Sequence, residues 1–205
     1  MHALFFEVRP HPGHLRHYFD HVDRLRPALA KHEGLAFIDR YGACDDAQLL
    51  LSHQLWESEE AIIAWRRDAG HRQSQAAGRQ KHFADYRIRV GARAYHWQAG
   101  GPETRMIHDE SAGLDPPAGQ LAPAELARVV ALYGGAEVAV PGFRAFESVN
   151  HAGRFVALAD ADGPDAAQTL LETHTGISGL EAAAIYAIRR DYGQFDRAQA
   201  PGAPA

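Results

Sequence analysis

The chain has 205 residues, 46% of them hydrophobic and 23% charged, with a formal net charge of -5. That composition is globular and long enough for one large domain or two of about 100 residues. The acidic balance, with scattered arginines and only Lys31 and Lys81 as lysines, excludes the basic surface that a nucleic-acid partner demands; the single cysteine, Cys44, excludes an internal disulfide and a cysteine-built metal cluster.

In chain order, residues 3–9 read as an apolar-rich strand with no basic leader-like region before it, and Pro10–Gly13 breaks it. Leu15, Tyr18, Val22, Leu25 and Leu29 step by three and four, which predicts a helix over residues 14–31 that Gly34 ends. Residues 35–41 and 48–56 read as strands joined by the turn-rich Gly-Ala-Cys-Asp-Asp segment. In the second of these, Leu49, Leu51, His53 and Leu55 share one face, while Leu50, Ser52, Gln54 and Trp56 share the other. Ser58 is the expected N-cap of a helix whose first turn carries Glu59 and Glu60 and whose buried face carries Ile62 and Trp65. Gly70 is expected to bend or interrupt that helix, a second helical piece follows to Gln80, and residues 83–97 form a long strand.

The same order then recurs in weaker form. Residues 98–104 read as a linker, 106–112 as a strand, 115–120 as a Pro/Gly loop and 123–134 as a helix. Residues 143–149 and 154–160 read as a hairpin, 164–174 as a helix and 180–190 as a strand; residues 198–205 have the composition of a disordered tail. The expected domains are therefore residues 1–97 and a degenerate second copy at 105–197. Each is a ferredoxin-like β-α-β-β-α-β unit of α+β class, with both helices on one face of an antiparallel sheet. Strands apolar on both faces cannot leave the other face wet, so two antiparallel sheets packed face to face to form a barrel are expected. The halves would close within one chain, as an intramolecular pseudo-dimer, or between chains in a homodimer. No apolar run approaches a membrane span, and the expected setting is cytoplasmic.

The segment Trp56-Glu-Ser-Glu-Glu-Ala-Ile-Ile-Ala-Trp65-Arg-Arg-Asp-Ala-Gly-His71, with Phe83-Ala-Asp-Tyr-Arg-Ile-Arg89 beyond it, resembles the antibiotic biosynthesis monooxygenase family of the dimeric α+β barrel superfamily. The resemblance covers residues 2–97 well and 105–195 faintly. It implies a small aromatic or quinone-like substrate held between helices and sheet, whose own carbanion reacts with oxygen, so that no flavin, metal or other cofactor is needed. By the same resemblance Trp65 lines the pocket and His71 stands where some members carry Tyr. Two departures matter. The Asn that some members carry one turn before the Trp would fall at Ala61, and the axial His of the haem-degrading branch would fall at Gln75.

His71, an imidazole titrating near neutrality, is the candidate acid/base, and Trp65 the candidate stacking wall beside it. Trp56, His53, Tyr41 and Arg87 are candidates for substrate binding, with Tyr41 or Arg87 steadying a developing oxyanion. Arg40 and Arg89 are lesser candidates for the same anion. Each has a bland alternative: packed core for Trp65, Trp56 and His53, a helix end for His71, surface ion pairs for the arginines. His14, His17 and His21 flank the first helix, but His17 and His21 lack a third metal ligand and read as a solvated face, so no metal site is assigned. His108, His151, His174, Tyr133 and Tyr186 show no pattern. A second functional reading is a non-catalytic module that sequesters a hydrophobic ligand or serves a stress response; a third is a lyase or isomerase using the same His.

Overall fold

The computed structural model describes residues 1–100 and 127–201. Its elements are β1 (His2–Pro10), α1 (Leu15–Leu29), β2 (Leu35–Ala43), β3 (Leu50–Trp56), α2 (Glu59–Arg67), α3 (Ala69–Ala77), a π-helical turn (Gly78–His82) and β4 (Phe83–Gln98). There follow β5 (Arg128–Gly134), a 3-10 turn (Ala136–Val138), β6 (Arg144–Ser148), β7 (Phe155–Ala161), α4 (Pro164–His174) and β8 (Leu180–Gly193). No helix among the described residues is long and apolar enough to cross a membrane.

All eight strands join in one closed antiparallel barrel, in the order β1-β3-β2-β6-β7-β5-β8-β4. The first-half strands lie in the order β4-β1-β3-β2 and the second-half strands in the order β8-β5-β7-β6. Two seams join them, β2 with β6 through Tyr41–Ser148 to Ala43–Phe146, and β4 with β8 over most of both strands. The barrel expected from two facing sheets is present as one closed sheet: the halves pack face to face across the interior and are also hydrogen-bonded at their edges. Edge pairing satisfies backbone groups that a simple sandwich would leave open, and it closes within one chain.

The barrel interior is common property. Ala3, Phe5, Tyr41 and Leu51 from one half pack with Val129, Phe146, Val156 and Tyr186 from the other in a single buried cluster. On the outside, α1 covers Val8, Leu50 and Tyr86 with Tyr18 and Val22. Beside it α2 sets Ile62 and Trp65 against Trp56 and Val90. Leu15, at the start of the predicted stripe, is instead 45% exposed, one turn short of the sheet.

The second half differs most from expectation. Residues 128–134 are a strand, not the end of a helix, because Val129, Ala131 and Tyr133 face the barrel while Val130 and Leu132 face outward, and β7 and β8 pair on either side. A strand buried on both faces loses the alternation that would have marked it. The 3-10 turn and its Val138 stand where the first half has α1, and α4 covers the outer face with Ala167 and Leu171. The segments expected at 106–112 and 115–120 fall outside the described residues. The tail expected to be disordered is packed as far as Pro201: Arg197 Nη1 donates to Tyr86 Oη at 2.6 Å and Arg66 Nη2 to the Pro201 carbonyl at 2.9 Å.

The β4–β8 seam is close. A Cβ on Gly91 would lie 2.5 Å from the Ala187 carbonyl oxygen. Gly91→Ala must push the seam apart and is expected to cost about 1–3 kcal/mol, as overpacking does, read as a lowered denaturant midpoint; an unchanged midpoint would show the seam to be slack. The interior also buries His53 completely, ring on ring with Phe5 at 4.6 Å. Burial lowers its pKa to about 4. Between pH 6.5 and about 4 the unfolded chain takes up a proton that the folded chain refuses, so stability falls as pH drops through that window, by about 3 kcal/mol from this residue. Chemical denaturation at pH 7 and 4.5 should show that loss shrinking in His53→Gln; parallel losses in both proteins would contradict it.

Candidate functional site

Two helix caps in series shape the site. Ser58 Oγ accepts from the Ala61 N–H at 3.2 Å and starts α2 as expected, with Glu59 and Glu60 in its first turn. The helix stops at Asp68, two residues earlier than the expected break at Gly70. Asp68 adopts an extended ψ of 134°, and its side chain accepts from the His71 N–H at 2.8 Å, capping α3. A capping carboxylate, not a flexible glycine, turns the chain.

That turn folds His71 back on Trp65. The rings stack at 4.5 Å and 18°, and His71 Nδ1 lies 2.9 Å from the Trp65 carbonyl oxygen. A carbonyl can only accept, so Nδ1 carries the hydrogen in the neutral ring and Nε2 keeps its lone pair. Gln75 Nε2 approaches that Nε2 at 3.5 Å. Burial pushes the His71 pKa below its ordinary value, partly offset by the Trp65 carbonyl and the Asp68 carboxylate. The imidazole is therefore mostly a neutral base at pH 7.

Both residues border a cavity of about 450 Å³ between α2, α3 and the sheet, within the range of small-molecule pockets. Its floor is apolar, from Leu4, Phe6, Ile88 and Val90, and Ile62, Phe83, Tyr86 and Tyr192 close the sides. Its rim carries Arg66, Arg67, Arg72, Arg79, Arg190 and Arg197 against one acid, Glu59. Glu59 is already engaged, with Arg189 at 3.1 Å and Arg190 at 2.9 Å. Arg67, Arg72 and Arg79 make no ion pair among the described residues. The packed tail adds Pro201 to the wall.

The other sequence candidates are not gathered here. Trp56 lies on the helix side but is wholly buried in the core, its Nε1 donating to Gln54 Oε1 at 3.0 Å. Tyr41 and His53 project into the barrel, across the sheet from the cavity. Arg87 is held by Asp191 at 2.6 Å and Asp160 at 3.1 Å. Arg89, on the same strand face, pairs with Glu7 and Asp160. Strand alternation makes the division unavoidable: Tyr86, Ile88 and Val90 face the helices, so Arg87 and Arg89 cannot. Oxyanion support by Tyr41 or Arg87 beside His71 is thereby corrected. Trp65 itself is only 4% exposed and has His71 over its ring, so it offers the cavity an edge rather than a stacking face.

The rim arginines were missed as a group because they come from α2, α3, the π-helical turn, β8 and the tail. Two other assemblies were equally hidden. His82 joins His14, His17 and His21, its Nδ1 3.1 Å from that of His14, although no set of three metal-ligating side chains stands in metal-holding geometry among the described residues. Tyr133 and Tyr186 meet His53 inside the barrel.

Residues 1–77 match the family model described as antibiotic biosynthesis monooxygenase. The jasmonate monooxygenase ABM of Pyricularia oryzae is 26% identical over 98% of this chain and 97% of its own length. Among solved structures, Rv0793 from Mycobacterium tuberculosis is 18% identical, covering 44% of this chain and 92% of its own, with a TM-score of 0.38. An anthrone oxidase-like protein is 11% identical over 98% and 96%, with a TM-score of 0.41. The matched span runs from β1 to the end of α3 and takes in the Trp65–His71 pair, so the similarity to the antibiotic biosynthesis monooxygenase family lies in the first half of the chain.

Proposed function

We propose that this protein is a monooxygenase acting on a small aromatic or quinone-like metabolite in the cavity beneath α2 and α3, with His71 as the base. The observation that carries the reading is the His71 tautomer: Nδ1 is tied to the Trp65 carbonyl, which leaves a basic Nε2 beside an apolar floor. Trp65 acts through His71, as the platform and carbonyl that hold it, rather than by stacking on substrate. The family match and the name of the Pyricularia oryzae relative support oxygenase chemistry.

In the proposed reaction Nε2 removes one proton from an activated CH₂ of the substrate. The carbanion gives its electrons to O₂ and bonds to it, forming a peroxide at that carbon. Loss of the second C–H proton as the O–O bond breaks leaves a carbonyl, and the other oxygen departs as water. The negative charge that develops on the substrate faces Arg72 and Arg79, which take the place that sequence reasoning gave to Tyr41 or Arg87. The same arginines favour substrates that are phenolate or carboxylate anions.

The repeated strand order supports a further element of the proposal: a duplicated ferredoxin-like unit, residues 1–97 and 105–197, in which, among the described residues, only the first copy keeps a helix pair over a cavity.

One observation favours the alternative, a non-catalytic binder of hydrophobic ligands. Ala61, where some family members carry Asn, does not border the cavity; its Cβ lies 2.7 Å from where a Cβ on Gly34 would sit, so a longer side chain there has little room.

Oxygen uptake with an anthrone separates the two. Wild type should consume oxygen, with kcat/KM falling as acid protonates His71 below pH 6.5, its pKa being lowered by burial. His71→Ala should lose about 10²–10⁴-fold while keeping its melting temperature. A folded His71→Ala with an unchanged rate removes His71 from the mechanism; binding of the anthrone by wild type without any uptake selects the alternative.

A further inference from the structure

Another cavity among the described residues opens at the end of the barrel, on the far side of the sheet from His71. It measures about 190 Å³. Phe37, Leu55 and Phe155 give it apolar walls, and Tyr133 and Tyr186 are part of its lining. The two phenol oxygens lie 3.1 Å apart, and Tyr133 Oη is 2.8 Å from His53 Nε2. Burial holds both phenols above their ordinary pKa, so they stay protonated at neutral pH. Tyr133 makes two hydrogen bonds; Tyr186 makes one, keeping a hydrogen-bonding position at the cavity.

The charged groups around this space are Arg93 and Arg154, with Asp39 and Glu181 as the acids; His96 and His151 also line it. Asp39 is already saturated: it accepts from Ser148 Oγ, from Asn150 Nδ2 and from the Arg40 N–H, each at 2.8 Å. Glu181 sits exposed at the rim. Arg93 has a buried Nε with no hydrogen-bond partner, and among the described residues neither Arg93 nor Arg154 forms an ion pair. A guanidinium nitrogen withdrawn from water and left unpaired is costly unless something else accepts from it. We propose that the barrel mouth is a second ligand site that takes a small organic carboxylate, its anionic head between Arg93, Arg154 and the Tyr186 hydroxyl and its apolar body against Phe37, Leu55 and Phe155. The volume is below that of drug-sized pockets and admits a body of about one ring. The site shares no lining residue with the cavity beneath α2, so it stands whether or not that cavity is catalytic.

Isothermal titration of the full chain with benzoate, and with benzamide as its neutral counterpart, tests this. Benzoate should bind and benzamide should bind at least tenfold more weakly. Arg93→Gln and Tyr186→Phe should each weaken benzoate at least severalfold at one site, and that site should persist in Arg79→Gln, which weakens only benzoate held beneath α2. Arg154→Gln, on an exposed residue, provides the same reading if either of those variants fails to melt cooperatively. No benzoate binding at millimolar concentration overturns the proposal. So does binding that Arg79→Gln weakens and Arg154→Gln does not, which would place benzoate beneath α2.

Discussion

Closure of the sheet is the constraint from which the rest of this molecule follows. Strands apolar on both faces need cover on both, and the edges of each half need partners for their backbone groups. Joining β2 to β6 and β4 to β8 answers both needs at once. Phe5, Leu51 and Tyr41 become core only because Phe146, Val156 and Tyr186 arrive from the other half. The interior is correspondingly tight, with Gly91 set against the Ala187 backbone where a methyl group would not fit.

Closure also divides the chemistry. Each strand residue commits either to the barrel or to the helix side, so the polar groups sort into two sets that cannot cooperate directly. On the helix side the α2–α3 break places an imidazole over an apolar floor with arginines at the rim. Inside, ion pairs around Arg89 occupy one part of the barrel and the His53–Tyr133–Tyr186 chain another. The second half fills its own helix side with Val138, Ala167 and Leu171, so its contribution is chiefly to complete the wall.

Legibility tracked the periodicity available. α1, α2, α4 and the β6–β7 hairpin were readable because an amphipathic stripe, a Ser58 cap, a Pro at the helix start and a Gly-bearing turn are local signals. β5 was read as helix because a strand buried on both faces carries no alternation. The break in the second helix was anticipated but ascribed to Gly70, since the capping role of Asp68 depends on a turn that only the folded backbone defines. Trp65 and His71 were paired through the family resemblance, and the structure brings them together; their stacking, and the tautomer that the Trp65 carbonyl fixes, depend on the folded turn.

By itself the sequence determined the element types of the first half, the two-sided apolar strands that forbid an open sheet, and a Trp and a His six residues apart across a helix break. These are short-range matters, set by side-chain period and caps within a few residues. Tertiary structure alone decided which edges join, that Tyr41, His53 and Arg87 lie across the sheet from His71, and that arginines from five segments ring one cavity. Those outcomes depend on strand register and chain return over a hundred residues, and no local preference encodes where a distant partner will stand.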